Sequence, residues 1–296
     1  MKPAKKTTRN SYFRVTEPCS LQAFLLERLH GISRNSVKSL LTHHQVKVNN
    51  APVTNPTFAL NAGDEVVVLH GWVEKPFSSP LLQIVYEDEY LLVVNKHEGL
   101  LTIATDRERS RTAYSILKQY IKRNDPSNKL FIVHRLDKDT SGLLLFAKSE
   151  EIKNAFQHNW LRVIEDRKYV AVVSGEMEQD EGEIVSWLKE NAAYVTYSSK
   201  KEGDGQKAVT HYKVLSRKNN HTLVELKLET GRKNQIRVHL SDIHHPICGD
   251  KKYGSKENPL HRLALHAYKI SFRHPATGKL VVLETSIPDK FKKIVS

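Results

Sequence analysis

From residue 84 onward, short apolar runs recur at irregular intervals, and that rhythm limits the folds open to the chain. Strands are expected at 84–86, 91–94, 130–134 and 143–147, each run too short for a helix. Residues 223–229 alternate apolar and polar, as a strand with one wet face does. Only Ala113, Ile116, Leu117, Tyr120 and Ile121 repeat at helical spacing in this region's first part. A doubly wound fold needs a helix between successive parallel strands. Strands outside that rhythm predict an α+β domain built on a mainly antiparallel mixed sheet with a central cleft. The charged stretch 176–207, with Gly182, Gly203 and Gly205, reads as an excursion with mobile parts.

Charge says more about partners than about fold. Lys and Arg number 46 against 33 Asp and Glu, a net +13, which points to a polyanion. Lys2, Lys5, Lys6, Arg9 and Arg14 occur with no acid in the first sixteen residues, so 1–17 is expected to be a flexible basic arm. The composition, 39% hydrophobic and 27% charged, is that of a globular protein. No run approaches the roughly 18 apolar residues of a membrane helix. The basic start has no apolar segment behind it, so a cytoplasmic protein without membrane attachment is expected. Cys19 and Cys248 form no CxxC pair. They read as reduced, small buried hydrophobes rather than a disulfide framework or zinc ribbon.

Residues 18–74 form a module of their own. Leu21, Phe24, Leu25 and Leu29 recur at helical spacing, as do Val37, Leu40 and Leu41, with Ser33 as a cap before the second helix. Val46-Lys47-Val48, an Asn49-Asn50 turn, and a strand 65–69 after Asn61-Ala62-Gly63-Asp64 complete a small α/β unit. It resembles the S4 RNA-binding domain through Phe24-Leu25, Ser33-Arg34, Val37-Lys38, Val46-Lys47-Val48-Asn49 and Gly63-Asp64-Glu65-Val66. The resemblance implies that Arg34 and Lys38 contact an RNA backbone, where a helix start offers N–H donors beside its cations. Without it, both residues would be read as a solvated helix face. Two prolines and two serines in 75–80 mark a linker, taken as 75–82, before a second domain over 83–296.

Three stretches of that second domain carry chemistry. His134-Arg135-Leu136-Asp137-Lys138-Asp139-Thr140-Ser141-Gly142 is a charged loop between two apolar strands; such loops are usually plain turns. Lys168-Tyr169-Val170-Ala171-Val172-Val173 is a strand in which Tyr169, by periodicity alone, is core. Thr230-Gly231-Arg232-Lys233-Asn234-Gln235-Ile236-Arg237-Val238-His239-Leu240 opens a helix whose apolar stripe leaves Arg237 on another face, and Pro246, Gly249-Asp250 and Tyr253-Gly254 follow in a loop.

Together these stretches resemble the RluA family of RNA pseudouridine synthases, and with the S4-like module the resemblance spans nearly the whole chain. His134, where a related S4-bearing family typically has glycine, favours this branch. The resemblance implies that Asp137 is the catalytic carboxylate that acts while uracil leaves its ribose and rejoins through carbon. Arg237 is then the partner of that carboxylate, Tyr169 packs against the base, and Arg135 fills the gap left by the flipped nucleotide. Flipping itself costs a few kcal/mol, of which stacking on an aromatic ring recovers roughly 1–3 kcal/mol. The reaction is an isomerisation, so no cofactor and no metal is expected; His43-His44 and His244-His245 read as surface or RNA-facing pairs. A monomer acting on structured RNA is implied, ribosomal RNA of the large subunit first and transfer RNA as the alternative. Asn234 stands where the family commonly has histidine, and His97-Glu98 where it commonly has proline.

Two readings from other classes compete. A non-catalytic RNA-binding or ribosome-assembly factor would have no need of Asp137 and Arg237, and both are present. A glycosidase would want two carboxylates about 5–9 Å apart. Asp137 and Asp139 are the local candidates, and they fall on alternating sides of the chain.

Overall fold

The computed structural model describes residues 10–42, 44–69, 77–106, 108–123 and 125–296, which divide into two compact units, 1–77 and 78–296. In the first, β1 (Ser11–Arg14) and β2 (Cys19–Ser20) precede α1 (Leu21–Arg28) and α2 (Arg34–Thr42). Then come β3 (Val46–Val48), β4 (Ala51–Pro52), β5 (Ala59–Leu60) and β6 (Glu65–Val68). Ser20 accepts from the Ala23 amide at 3.4 Å and Ser33 from the Ser36 amide at 3.1 Å, so both helices start on hydroxyl caps. Asn49 and Asn50 both take left-handed φ, 49° and 67°, the geometry that a two-residue hairpin turn demands. Leu21, Phe24, Leu25, Val37 and Leu41 pack on Val46, Val48, Val66 and Val68.

The expected arm over 1–17 is corrected at its C-terminal end. Ser11–Arg14 is a strand paired antiparallel with Glu65–Val68, and the sheet runs β1-β6-β3-β4. Phe13 is the reason: its ring meets Phe24 edge-on at 6.2 Å, which outweighs the local run of charge. Residues 1–9 lie outside the described residues, as do 70–76, which include the first two residues of the expected linker 75–82. Leu82, assigned to the linker, instead opens a strand of the second unit.

The second unit begins with β7 (Leu82–Glu87), β8 (Leu91–Lys96), α3 (Ala113–Lys122), β9 (Phe131–Ile132) and β10 (Ser141–Ala147). It continues with α4 (Glu150–His158), α5 (Trp160–Val163), β11 (Ile164–Ser174), β12 (Glu181–Glu190), β13 (Thr196–Ser199), β14 (Gln206–Lys218) and β15 (His221–Leu228). It closes with α6 (Gln235–Asp242), β16 (Leu265–Arg273), β17 (Leu280–Glu284) and α7 (Asp289–Ile294). Among the described residues, eleven strands form one sheet, ordered β13-β12-β14-β15-β11-β16-β10-β8-β7, with β17 on β16 and β9 on β10. All pairings are antiparallel except β10 with β16. The α+β expectation therefore holds, and the run 143–147 is buried at every residue because helices or loops cover both faces there. Ile152 and Phe156 of α4 pack on Leu143, Leu145 and Phe272.

Half of the stretch 176–207, expected as an excursion with mobile parts, is regular strand: β12, β13 and the start of β14. Its charges lie mostly on the wet face of β12, as the mixed burial of Glu181–Glu190 shows. Among the described residues no helix is long and apolar enough to cross a membrane.

The parallel contact positions the site. β10 touches β16 only through Ser141–His266 and Gly142–Ala267, and the two strands then part. Gly142 has φ 116°, and a Cβ there would lie 2.2 Å from the Ala267 carbonyl oxygen. Gly142→Ala is therefore expected to lower stability by at least about 2 kcal/mol. Gly278→Ala, at φ 69° with open space around it, should cost only about 1 kcal/mol. Denaturant unfolding of both full-length variants checks this; equal stabilities would contradict it.

Candidate active site

One wall of a pocket is the loop 134–140, hung between β9 and β10. It is held from beneath by three side chains. The fully buried Lys96 ammonium, at the end of β8, donates to the carbonyls of His97 (3.0 Å), Leu100 (2.9 Å) and Lys138 (3.0 Å). Burial pushes its pKa down to about 8, opposed first by Asp139 and then by Asp137. The Thr102 hydroxyl donates to the Leu136 carbonyl at 2.7 Å and receives the Leu136 amide at 3.2 Å. The His134 Nε2 accepts from the Leu145 amide at 3.2 Å. Burial and the nearby Arg167 push this imidazole down to about 3, so it is the neutral acceptor that the bond requires. At the loop's far end the Ser141 hydroxyl meets His266 Nδ1 at 2.8 Å and receives Arg262 Nη2 at 2.7 Å. What these anchors leave outward is Arg135, Lys138 and Asp139, all exposed, and the half-buried Asp137.

The opposite wall is the turn 230–234 and the start of α6. Buried Gln235 uses both ends of its amide. Its Oε1 accepts from Thr230 Oγ1 (2.7 Å) and the Arg232 amide (3.0 Å), and its Nε2 donates to Val209 O and Thr210 Oγ1, each at 2.9 Å. Asn234 stands at the helix N-cap with φ 54°, a left-handed conformation in which asparagine is enriched. Its Oδ1 accepts from Arg237 Nη1 at 3.1 Å and its Nδ2 donates to the Tyr253 hydroxyl at 3.0 Å. Further along α6, fully buried His239 sits between the hydroxyls of Ser186 (3.0 Å) and Thr210 (2.9 Å).

The walls meet at Arg237. Its Nε and Nη2 each donate at 2.7 Å to the two oxygens of Asp250, whose side chain is 1% exposed. Nη1 is 3.5 Å from Asp137 Oδ2, and the guanidinium lies over the Tyr253 ring at 5.0 Å. Burial works against the arginine's charge, but the bonds and attraction from Asp250, with Asp137 adding to them, raise its pKa on balance. Tyr169 supplies the floor. A bulge in the β11–β16 ladder at Lys168/Tyr169 re-aims this ring, which is 8% exposed, and burial raises its phenol pKa, so the hydroxyl keeps its proton. The resulting pocket of about 180 Å³ is lined by Arg135, Asp137, Tyr169, Asn234 and Arg237 among others.

Four of the six residues singled out in the sequence, Asp137, Arg237, Tyr169 and Arg135, thus share one pocket. Arg34 and Lys38 are exposed on the first two turns of α2, in the other unit. Sequence reasoning missed Lys96, Thr102, Gln235 and Asp250. A lysine placed just beyond the apolar run Leu91-Leu92-Val93-Val94 is the one signal that could have flagged Lys96. Among the described residues two groups of donors could hold a metal, His221/Cys248/Glu257 and Glu183/His211/Glu229, and neither lines the pocket.

Residues 90–242 match the family described as RNA pseudouridylate synthase, and residues 19–66 match the S4 domain. An uncharacterized RNA pseudouridine synthase of Bacillus subtilis (strain 168) is 34% identical over 269 residues, covering 88% of each chain. A ribosomal large subunit pseudouridine synthase D of Neisseria meningitidis serogroup B is 32% identical over 295 residues, 93% of this chain and 78% of its own. The solved structure of human RNA pseudouridylate synthase domain containing 1 is 26% identical. It superposes with a TM-score of 0.57 over 72% of this chain and 86% of that one.

The helix that carries Arg237 is expected to be acid-sensitive. Burial holds His239 down to about 4 from an ordinary 6.5, so below pH 6.5 the unfolded chain takes up a proton that the folded chain refuses. Stability is therefore expected to fall by roughly 3 kcal/mol between pH 6.5 and 4 from this group alone. His239→Gln should show a correspondingly shallower loss over that window in unfolding curves. Equal slopes in the two proteins would contradict it.

Proposed function

Because the chain belongs to the RNA pseudouridylate synthase family and carries an S4 domain, we propose that it isomerises uridine in large-subunit ribosomal RNA through the carboxylate of Asp137. The observation that carries the reading is the 3.5 Å approach of Asp137 to Arg237 in a pocket that Tyr169 also lines. In the isomerisation the bond from the ribose C1′ to N1 breaks and one from C1′ to C5 forms. C5 gives up its proton and N1 regains one, so nothing is oxidised and no group is lost.

Each residue has a physical task. The glycosidic carbon is shielded inside a stacked helix, so the target nucleotide must swing out. The pocket then receives the base, with Tyr169 stacking on it. Arg135, exposed at the rim, is suited to fill the vacated space. Asp137 acts at the sugar–base bond with Arg237 as its ionic partner. In the S4 domain, Arg34 and Lys38 stand on the first two turns of α2, where cations and free N–H groups together suit an RNA phosphate. The Neisseria relative is named for the large ribosomal subunit, and this favours that RNA over transfer RNA.

Maps of pseudouridine in total RNA test the reading, taken from cells that lack the gene and are complemented with one of three alleles. Wild type is expected to restore missing sites in large-subunit RNA and Asp137→Asn to restore none. Arg34→Ala/Lys38→Ala should restore them partially, with a shallower salt dependence of RNA binding in vitro. Full restoration by Asp137→Asn would overturn the role of the carboxylate. Missing sites confined to transfer RNA would overturn the choice of substrate.

A further inference from the structure

A second constellation lies where the β14–β15 hairpin faces the loop after α6. The hairpin turns on Asn219 and Asn220, both left-handed at φ 55° and 57°, and this delivers His221 as the first residue of β15. Cys248 is fully buried, with its amide on Val172 O and its carbonyl on the Ala264 amide, each at 2.9 Å. Glu257 is tied to the same loop, since its carbonyl accepts from the Gly249 amide at 2.8 Å. The imidazole Nε2, the thiol Sγ and a carboxylate oxygen of these three residues all lie within 4.8 Å of one another.

The hydrogen-bond pattern leaves this cluster one cation short. His221 Nδ1 is 2.7 Å from the carbonyl oxygen of Asn219, which can only accept, so Nδ1 carries the ring hydrogen. A neutral imidazole then aims the lone pair of Nε2 at Glu257 Oε2, 2.7 Å away: two acceptors face to face. Both atoms are shielded from solvent and make no hydrogen bond, and the same is true of Asn258 Oδ1. A proton on Nε2 would relieve the pair; the neighbouring Cys248 thiol, whose Sγ is 3.8 Å from the Ser174 hydroxyl, offers a third donor to a cation at the same point.

We propose that His221, Cys248 and Glu257 bind one divalent zinc ion, at a site outside the uridine pocket. Imidazole, thiolate and carboxylate are the donors that a borderline-soft, tetrahedral cation selects. A ring N–H bound to a backbone carbonyl is the outer contact that orients a ligating histidine. Ligands about 2.0–2.3 Å from a tetrahedral metal stand roughly 3.3–3.8 Å apart. Nε2 and Oε2 must therefore open by under about an ångström, which the half-exposed Glu257 side chain allows. Binding releases the Cys248 thiol proton to solvent, and the fourth position is left for water. Asp250 lies two residues after Cys248, so the ion would brace the loop that holds Arg237. The sequence conceals the trio, since positions 221, 248 and 257 follow no ligand spacing; the expectation of no metal rests on the isomerisation chemistry and on the lack of clustered His/Cys ligands along the chain.

The test uses the untagged full-length protein and cobalt(II) alone as the probe, followed by melting with and without zinc. One equivalent of cobalt should bind with a near-ultraviolet thiolate-to-metal charge-transfer band. That band should survive Cys19→Ser, vanish in Cys248→Ser, and need at least about tenfold more cobalt in Glu257→Gln. Zinc should raise the melting temperature of the wild type and not of Cys248→Ser. Glu257→Gln alters a partly exposed side chain, so it carries the comparison if Cys248→Ser fails to fold. A wild type with no band and an unshifted melting temperature would overturn the site, leaving a plain His221–Glu257 ion pair. A band that survives Cys248→Ser would overturn it as well.

Discussion

The carboxylate of Asp250 is almost wholly buried, and a buried charge is tolerated only when paired and hydrogen-bonded. Arg237 meets that demand with a two-point fork, and the rest of the pocket depends on it. With Nε and Nη2 committed to Asp250, Nη1 is the edge left for Asn234 and Asp137. The fork fixes the guanidinium plane, so the position of Asp137's ionic partner is set by a residue that does not line the pocket. That in turn fixes what the backbone must do. Asn234 turns left-handed to start the helix, and Gly249 lets the loop pass so close to Arg262 that a Cβ would lie 2.1 Å from its carbonyl oxygen. Gln235 and His239 satisfy buried polar groups that would otherwise let α6 shift along the sheet.

The opposite wall solves a different problem. A seven-residue polar loop between apolar strands has many carbonyls and few natural partners. Lys96 answers this by spending all three ammonium hydrogens on backbone oxygens, one of them within the loop itself. The depressed pKa of this lysine measures how strongly burial opposes its charge. Thr102 adds a pair of bonds at Leu136, and neutral His134 accepts one more from the Leu145 amide. The loop is thus stiff at its base and polar at its tip, which is the division a pre-organised site requires.

Much of this architecture was legible in the sequence, and the unread parts share a cause. Apolar runs reported which segments are strands, because a strand buried on both faces cannot hide its composition. Asp137 and Arg237 could be named through motifs, although they are distant in sequence. Periodicity reports burial, not neighbours. It could not show that β10 and β16 run parallel for two residues, that Lys96 reaches the Lys138 carbonyl, or that Asp250 grips Arg237. Ser11–Arg14 was misjudged for a related reason: charge counting saw the arginine, while Phe13 had a ring to meet across the sheet. The stretch 176–207 looked irregular because a strand with one wet face carries charge wherever it faces water.

The dependence of Asp137's surroundings on a residue outside the pocket is tested most directly by Asp250→Asn, an isosteric change that removes one charge and leaves every pocket-lining residue in place. Single-turnover isomerisation should be measured at saturating RNA, with folding verified by melting and RNA affinity measured alongside. The account predicts a rate lower by about a hundredfold or more with affinity nearly unchanged, because Arg237 loses its fixed orientation toward Asp137. A folded Asp250→Asn enzyme that isomerises at the wild-type rate would contradict it.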